Sequence, residues 1–341
     1  MSILTTSISI FYIGCSKEER VFVWAKVSAL CAKILVVFLH TDCVYHDYIL
    51  PLTRCAVPCF FMISGYLLFN DGDIEISRLK RSTRNILHII VWSTLLFACY
   101  KEAVAIHQGS VYIPSLRELF NFIVLNENPF GGHLWYLGAY LYVLLIAMII
   151  SKYKIWKYMF YAIPILLLTD LILGKYSLLF LDREFPVIYV RNFLFVGLPY
   201  FALGACLKKY SDKISKIKYY YWLIGGILFS LTSLMEKWVL LYLDKNPGRE
   251  HYFSSTLLAL CLFLLVLSFK KKEPTIYSTI GNKDSLYIYI FHPLFISIIG
   301  MIVGKIASNS IVNIYSFTAP FVVFLSTMVF IIVIRKIRLI Q

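Results

Sequence analysis

Long apolar stretches recur from one end of this chain to the other, separated only by short polar breaks. A soluble core of similar length would alternate apolar and polar faces along its helices and strands. Only 15% of the residues are charged, against about 25% in a typical soluble domain. These features exclude an ordinary soluble globular protein and indicate a polytopic membrane protein.

About ten of the stretches are long enough to cross a bilayer, because a spanning helix needs about 20 residues, with a range of roughly 17 to 25. Backbone groups find no hydrogen-bond partners in lipid, and the stretches do not alternate as barrel strands do. We therefore predict an all-α integral membrane fold, a bundle of about ten transmembrane helices. The predicted spans are 21–41, 52–69, 85–106, 133–151, 157–174, 191–207, 219–241, 254–269, 285–306 and 314–334.

The basic residues are distributed unequally between the two sets of helix ends. Of the 33 Lys and Arg residues, 21 fall on one side and 10 on the other, while Lys26 and Lys33 lie inside the first stretch. By the positive-inside rule both termini are cytoplasmic, which requires an even number of spans. The basic residues fall in short clusters, which are topology signals and not a nucleic-acid surface. The expected partner is therefore the lipid bilayer.

The polar breaks are too short to hold a soluble domain, and the longest runs from about 107 to 132. We predict a single transmembrane domain over 1–341, located as a multi-pass protein in the cell inner or plasma membrane. Most of the eight cysteines lie inside apolar stretches, and their spacing indicates no metal site.

Three ionisable residues in the first stretch, Lys26, Lys33 and His40, are spaced by seven. At this spacing their side chains form one stripe along about 21 Å of helix. Each charge in a span costs roughly 2.5 to 3.5 kcal/mol on insertion scales and therefore needs a reason. Either Lys26 snorkels, Lys33 pairs with a carboxylate and His40 caps the helix, or the stripe lines a polar shaft for an anionic ligand and a proton.

A second basic cluster precedes the third predicted span and contains Arg78, Lys80, Arg81 and Arg84. It is either a topology signal alone or a binding site. Arg81 and Arg84 are three residues apart and share a helix face, which suits forked contacts with phosphate oxygens. Cytoplasmic donors that carry phosphates include acyl-CoA and nucleotides.

The predicted outer side has a polar rim whose members are either solvated loop residues or substrate contacts. The rim consists of Asp42, His46, Asp47, Arg54, His133, Arg183, Glu184, Arg191 and Asn192. His292, followed by Pro293 in the ninth predicted span, is a further candidate or a packing histidine.

Stretches spread over nearly the whole chain resemble the membrane-bound acyltransferase-3 family, the ten-helix O-acyltransferases of cell-surface glycans. No single stretch is highly specific, but their order along the chain makes coincidence a poor explanation. The matching stretches are ILVVFLH (34–40), VPCFFMISGYLLF (57–69), KRSTRNILHIIVW (80–92), HLWYL (133–137), RNFLFVGLPYFALG (191–204) and SLYIYIFHPLF (285–295).

The resemblance implies roles for individual residues. His40 takes the place of the family's essential histidine, and Arg81 and Arg84 take the donor-binding role of its Arg-x-x-Arg element. The family usually has Arg or Lys eleven residues before the histidine, where this chain has Ala29. Lys26 and Lys33, each one turn away from that position, are the candidates to replace it.

The resemblance further implies an O-acyltransferase that moves an acyl group, expected to be acetyl, from cytoplasmic acyl-CoA to a hydroxyl of a cell-surface or exported glycan or lipid-linked saccharide. His40 acts either as general base or through a covalent acyl intermediate. No metal is expected, and the oligomeric state is not indicated. The predicted substrate contacts are Arg54, Ser64, His133, Trp135, Arg191, Asn192 and His292.

Two other functions fit the same pattern. A transporter or exporter of a glycan or small amino acid would use the charged stripe as a permeation path, and matched broken half-helices would favour it. A glycan polymerase would require a large catalytic outer loop, and the break at 107–132 is modest. The family that the chain resembles includes enzymes, proteins described as glycan exporters, and membrane halves joined to soluble enzymes such as amino-acid racemases.

Overall fold

The computed structural model describes residues 32–247, 251–268, 285–306 and 308–337. Within these ranges the regular structure is helical, apart from an isolated antiparallel bridge between Asn70 and Asp73. The α-helices are α1 (32–40), α2 (His46–Thr53), α3 (Ala56–Leu68), α4 (Ile76–His107), α5 (Leu116–Leu125), α6 (Trp135–Lys152), α7 (Trp156–Leu173), α8 (Ser177–Phe180), α9 (Leu198–Lys209), α10 (Ser211–Ile214), α11 (Tyr219–Tyr242), α12 (Phe253–Ser268), α13 (Ser285–Ile306) and α14 (Asn309–Lys336). Short 3₁₀-helices cover Gly132–Leu134 and Val187–Tyr189, and a π-helix covers Phe193–Gly197.

Seven helical segments of the described chain are long and apolar enough to cross a membrane. The all-helical class is confirmed for these residues, whereas the count of ten spans and the cytoplasmic termini stay predictions. The apolar helix α12 is shorter, at 16 residues, and part of the first predicted span, 21–41, lies outside the described residues. The seven segments are His46–Leu68, Ile76–His107, Gly132–Lys152, Trp156–Leu173, Tyr219–Tyr242, Leu286–Lys305 and Asn309–Lys336.

The predicted span 52–69 is divided in the structure into two helices, α2 and α3, with a turn at Arg54 and Cys55. Pro58 lies in the first turn of α3. A proline ring clashes with the carbonyl four residues earlier, here that of Arg54, and so favours a kink or a break at this point.

Two other predicted boundaries differ from the structure. Helix α4 begins at Ile76, nine residues before the predicted span 85–106, because a helix satisfies its own backbone in water as well as in lipid. Hydropathy marks only the apolar part of such a helix. The predicted span 191–207 begins with a π-helix, which Asn192 caps: its side-chain oxygen accepts from the backbone N–H groups of Leu194 and Phe195.

The chain divides into two compact units, each discontinuous in sequence. Unit 1 consists of Met1–Ile63, Asp212–Asp244 and His251–Gln341, and unit 2 of Ser64–Ser211 and Lys245–Glu250. A single domain over 1–341 stays a prediction.

In unit 1, helix α11 holds the start of α2 and the start of α12 through two adjacent charged residues. Lys237 donates to the backbone carbonyl of Asp47, and its Nζ lies 3.4 Å from the carboxylate of that residue. Glu236 accepts from the backbone N–H groups of Phe253 at 2.9 Å and Ser254 at 3.1 Å. These carboxylate contacts satisfy N–H groups that the first turn of α12 leaves open.

In unit 2, helices α3 and α9 approach each other at backbone distance. A β-carbon on Gly65 would stand 1.9 Å from the carbonyl oxygen of Phe201, so only glycine permits this contact. The turn after α3 is tied to α7 by Trp156, whose indole N–H lies 2.8 Å from a carboxylate oxygen of Asp73 and 3.0 Å from the hydroxyl of Ser151.

Candidate functional site

Two histidines that are distant in sequence lie together in unit 1. The ring centroids of His40, at the end of α1, and His292, in α13, are 5.4 Å apart with planes inclined by 31°. His40 is exposed, whereas His292 is fully buried. An exposed imidazole therefore lies against a second imidazole that is buried.

The tautomer of His292 follows from its contact with the preceding turn. Its Nδ1 lies 3.1 Å from the carbonyl oxygen of Ile288. A carbonyl can only accept, so Nδ1 carries a proton, and in the neutral ring Nε2 is then an acceptor nitrogen. The sequence did not reveal the pairing with His40, because 252 positions separate the two residues.

The other cationic residues predicted for this part of the chain are only partly placed. Lys33 is 1% exposed and lies two turns before His40 on α1, as the predicted stripe requires. Lys26 and Ala29 lie outside the described residues. Arg54 ends α2 close enough to Tyr252 to interact electrostatically, while burial raises the pKa of that tyrosine to about 12.

In unit 2 the structure separates the members of the arginine cluster by what they contact. Arg78 donates to the carbonyl oxygens of Leu67 at 2.9 Å and Leu68 at 3.4 Å, the last residues of α3. Arg81 and Arg84 are exposed on α4. Arg78 therefore closes the C-terminus of α3, and the two guanidinium groups predicted to bind the donor face outward.

Asn85, one turn after Arg81, is a candidate that sequence reasoning missed. It is 3% exposed, and its amide nitrogen is among the buried polar atoms of the described chain that have no hydrogen-bond partner. An unsatisfied buried donor is costly, about 1 to 3 kcal/mol, and for that reason asks for an explanation. The signal available in the sequence was its spacing of four from Arg81.

Two predicted substrate contacts, Trp135 and Arg191, meet in unit 2. The Arg191 guanidinium carbon lies 5.5 Å from the centroid of the Trp135 ring, which is a cation–π distance. The ring of His133, two residues before Trp135, packs edge-on to Phe97 with centroids 4.6 Å apart. Trp135 is 5% exposed, so the cation–π contact is part of the packed interior of unit 2.

The predicted contact Asn192 is occupied with the backbone. Its side-chain nitrogen donates to the carbonyls of Ile188 and Tyr189, and its oxygen accepts from two N–H groups of the π-helix. These bonds use both donors and the acceptor of the amide. Its visible role is to shape the segment that carries Arg191, and a substrate contact stays a prediction.

Asn126 and Ser64 also connect elements of unit 2. Asn126, with the left-handed φ of 55°, donates to the Trp135 carbonyl at 3.3 Å and accepts from the backbone N–H of Phe193 at 3.1 Å. Ser64, predicted as a substrate contact, is 2% exposed and hydrogen-bonded to the Tyr140 side chain. Asn126 thus aligns the segments bearing Trp135 and Arg191.

The predicted outer connection is ordered by a capping box at the start of α5. The Ser115 hydroxyl accepts from the Glu118 backbone N–H while the Glu118 carboxylate accepts from the Ser115 backbone. The N–H of Ser115, followed by its hydroxyl and that of Tyr112, lowers the pKa of Glu118 to about 2. Lys101 stacks on the Tyr112 ring, with Nζ 3.4 Å from the centroid.

Within the described ranges no group of three or more His, Cys, Asp or Glu residues is arranged to hold a metal ion. The polar groups that do converge are imidazoles in unit 1 and guanidinium, indole and amide groups in unit 2.

Apolar helices with buried polar clusters define a multi-pass helical membrane protein. The chain belongs to the acyltransferase-3 family: the family's sequence profile, described as an acyltransferase domain, matches residues 30–336. The resemblance drawn from the sequence is thereby confirmed, and membership supports an acyltransferase. The roles of individual residues stay predictions.

The chain is also 24% identical over 308 residues to an amino-acid racemase of Enterococcus faecalis. This match covers 83% of the chain but 42% of the relative, so the chain spans about two-fifths of that protein's length. No solved structure matches the chain.

Proposed function

We propose that this protein is a membrane O-acyltransferase that moves an acetyl group from cytoplasmic acetyl-CoA to a hydroxyl of a cell-surface or exported glycan. Membership in the acyltransferase-3 family supports acyl transfer. The observation that carries the donor half of the proposal is the difference in contacts among three arginines on α4. Arg78 is held by α3 while Arg81 and Arg84 remain exposed on one helix face.

The exposed pair suits the phosphates of CoA. Arginine offers forked donors that match phosphate oxygens, and two residues three apart present them side by side. The buried amide nitrogen of Asn85 is a further donor on the same helix. Lys26 and Lys33 are the proposed replacements for the basic residue that the family has at the position of Ala29.

In the chemical step, His40 accepts the proton of the acceptor hydroxyl. The acceptor oxygen attacks the thioester carbonyl carbon, so that a carbon–oxygen bond forms and the carbon–sulfur bond breaks. The hydroxyl proton passes to a ring nitrogen of His40 and from there to the sulfur of the departing CoA. Exposure of His40 at the end of α1 supports access for the hydroxyl.

The acceptor is assigned to the aromatic and guanidinium groups. Arg191 lies at a cation–π distance from the Trp135 ring, which supports these two residues as the proposed sugar contacts, and His133 is two residues before Trp135. Arg54 and Ser64 remain proposed acceptor contacts; the first is near Tyr252 and the second is buried against Tyr140. Racemisation is not proposed, because the racemase is matched over 42% of its length.

The test supplies acetyl-CoA labelled in the acetyl group to membrane vesicles of known orientation. Inverted vesicles, which present the predicted cytoplasmic face, should incorporate label into glycan and release one CoA thiol for each acetyl group. Right-side-out vesicles should not. Movement of unmodified glycan without thiol release would instead establish the exporter alternative, and glycan elongation would establish the polymerase.

A further inference from the structure

The buried imidazole of His292 has a fixed tautomer and an exposed neighbour. Its ring is fully buried in α13, with Nδ1 3.1 Å from the Ile288 carbonyl. The ring of His40 lies 5.4 Å away, centroid to centroid. No hydrogen bond joins Nε2 of His292 to the His40 ring in this structure, but the rings are near enough for a turn of the exposed His40 ring to form one, as catalytic hydrogen bonds often tighten only in the substrate complex.

We infer that His292 is the positioning residue for His40, and that in the reacting complex its Nε2 accepts a hydrogen bond from an N–H of the His40 ring. This inference rests on the proposed function, in which His40 is the base. A neutral imidazole has one N–H and one lone pair. If the N–H is held by His292, the lone pair of the opposite nitrogen faces the acceptor hydroxyl.

The arrangement has a consequence for the transition state. When His40 takes the hydroxyl proton it becomes an imidazolium, and its bond to Nε2 of His292 becomes charge-assisted and therefore stronger. An interaction that strengthens as charge develops accelerates the chemical step more than it tightens binding. The same logic applies wherever a base is oriented by a third group.

A structural role predicts a different pattern, and the two amide side chains distinguish the roles. Asparagine places a donor near the position of Nδ1 and can keep the bond to Ile288. Glutamine reaches the position of Nε2, and its oxygen can accept from His40. His292→Asn therefore preserves the helix contact, whereas His292→Gln preserves the proposed contact with His40.

The experiment compares wild type with His292→Ala, His292→Asn and His292→Gln in proteoliposomes supplied with acetyl-CoA and the glycolipid fraction of the source membranes. Acceptor-dependent release of CoA thiol gives kcat and the donor KM, and thermal unfolding reports the fold. His88→Gln is the matched control, because the Nδ1 of His88 also lies on the carbonyl four residues earlier, at 2.7 Å from Arg84 oxygen.

We expect His292→Ala to lower kcat by about 10²-fold with the donor KM within about twofold. His292→Gln should recover at least tenfold of that loss, His292→Asn should recover little despite normal unfolding, and His88→Gln should match wild type. Recovery by Asn but not by Gln, or loss below threefold in all variants, overturns the inference. A wild type that releases no thiol overturns the proposed function together with it.

Discussion

The carbonyl oxygen of Phe201 occupies the space beside Gly65 so closely that a β-carbon there would stand 1.9 Å from it. The two backbones, of α3 and α9, are thus in direct contact within unit 2. This explains in physical terms why glycine lies at the centre of VPCFFMISGYLLF, one of the stretches that resemble the family.

Gly65→Ala should destabilise the protein, because the added methyl meets backbone that can yield only by separating the helices. We expect a loss of about 1 to 3 kcal/mol or more. Thermal unfolding in detergent measures it, and Gly300→Ala, in a helix where a β-carbon meets nothing within 4 Å, is the control. An unchanged midpoint for Gly65→Ala would show that the close approach is not as described.

Arg81→Ala and Arg84→Ala should each weaken donor binding by about tenfold or more, since each removes a charge-assisted contact worth roughly 1.5 to 3 kcal/mol. Lys157→Ala, which removes an exposed cation at the start of α7, controls for charge alone. Arg78→Ala should lower stability and spare the donor constant. Calorimetric titration measures the CoA affinity of all four variants. If Arg81→Ala and Arg84→Ala bind CoA as tightly as wild type, the two arginines are only a topology signal.

The orientation is tested by cysteine labelling in a background without reactive native cysteines. Arg117→Cys should react with a membrane-impermeant thiol reagent in intact cells, and Ser211→Cys only after permeabilisation. Both positions lie outside the seven candidate spans. Labelling of Ser211→Cys in intact cells would reverse the orientation.

Asn192→Ala should cost stability, because it leaves two carbonyls and two N–H groups of the π-helix region without their amide partner. We expect Asn192→Ala to lose about 1 to 3 kcal/mol of stability. Asn192→Asp should lie between wild type and Asn192→Ala, since it keeps the accepting oxygen. Unfolding midpoints and acceptor KM are measured together. A normal midpoint with a raised KM would instead make Asn192 a substrate contact.

The sequence was sufficient for the helical class and for the approximate positions of the long helices, because apolar length is a property of local sequence. It placed the start of α4 nine residues late, since helix outside lipid has no hydropathy signal. The break between α2 and α3 at Arg54 was not predicted, although Pro58 is visible in the sequence and its ring disfavours helix at the carbonyl four residues earlier.

Pairings between residues that are distant in sequence could not be predicted from a single sequence. The contact of His40 with His292, the stacking of Arg191 on Trp135 and the link from Asn126 to Phe193 depend on how helices pack. The placement of ionisable residues and the family resemblance identified His40, His292, Arg191 and Trp135 as candidates. Only three-dimensional packing distinguishes the exposed Arg81 from the capping Arg78.

The role of His40 as the base is tested by measuring acyl transfer in the His40→Ala protein. Labelled acetyl-CoA is supplied to wild-type and variant proteoliposomes containing the glycolipid fraction of the source membranes, and label in the glycan is measured alongside CoA affinity. We expect the variant to lose transfer by about 10²-fold or more while binding CoA as wild type does, because only the proton-accepting group is removed. A His40→Ala protein that acylates glycan at a rate near that of wild type would contradict that role.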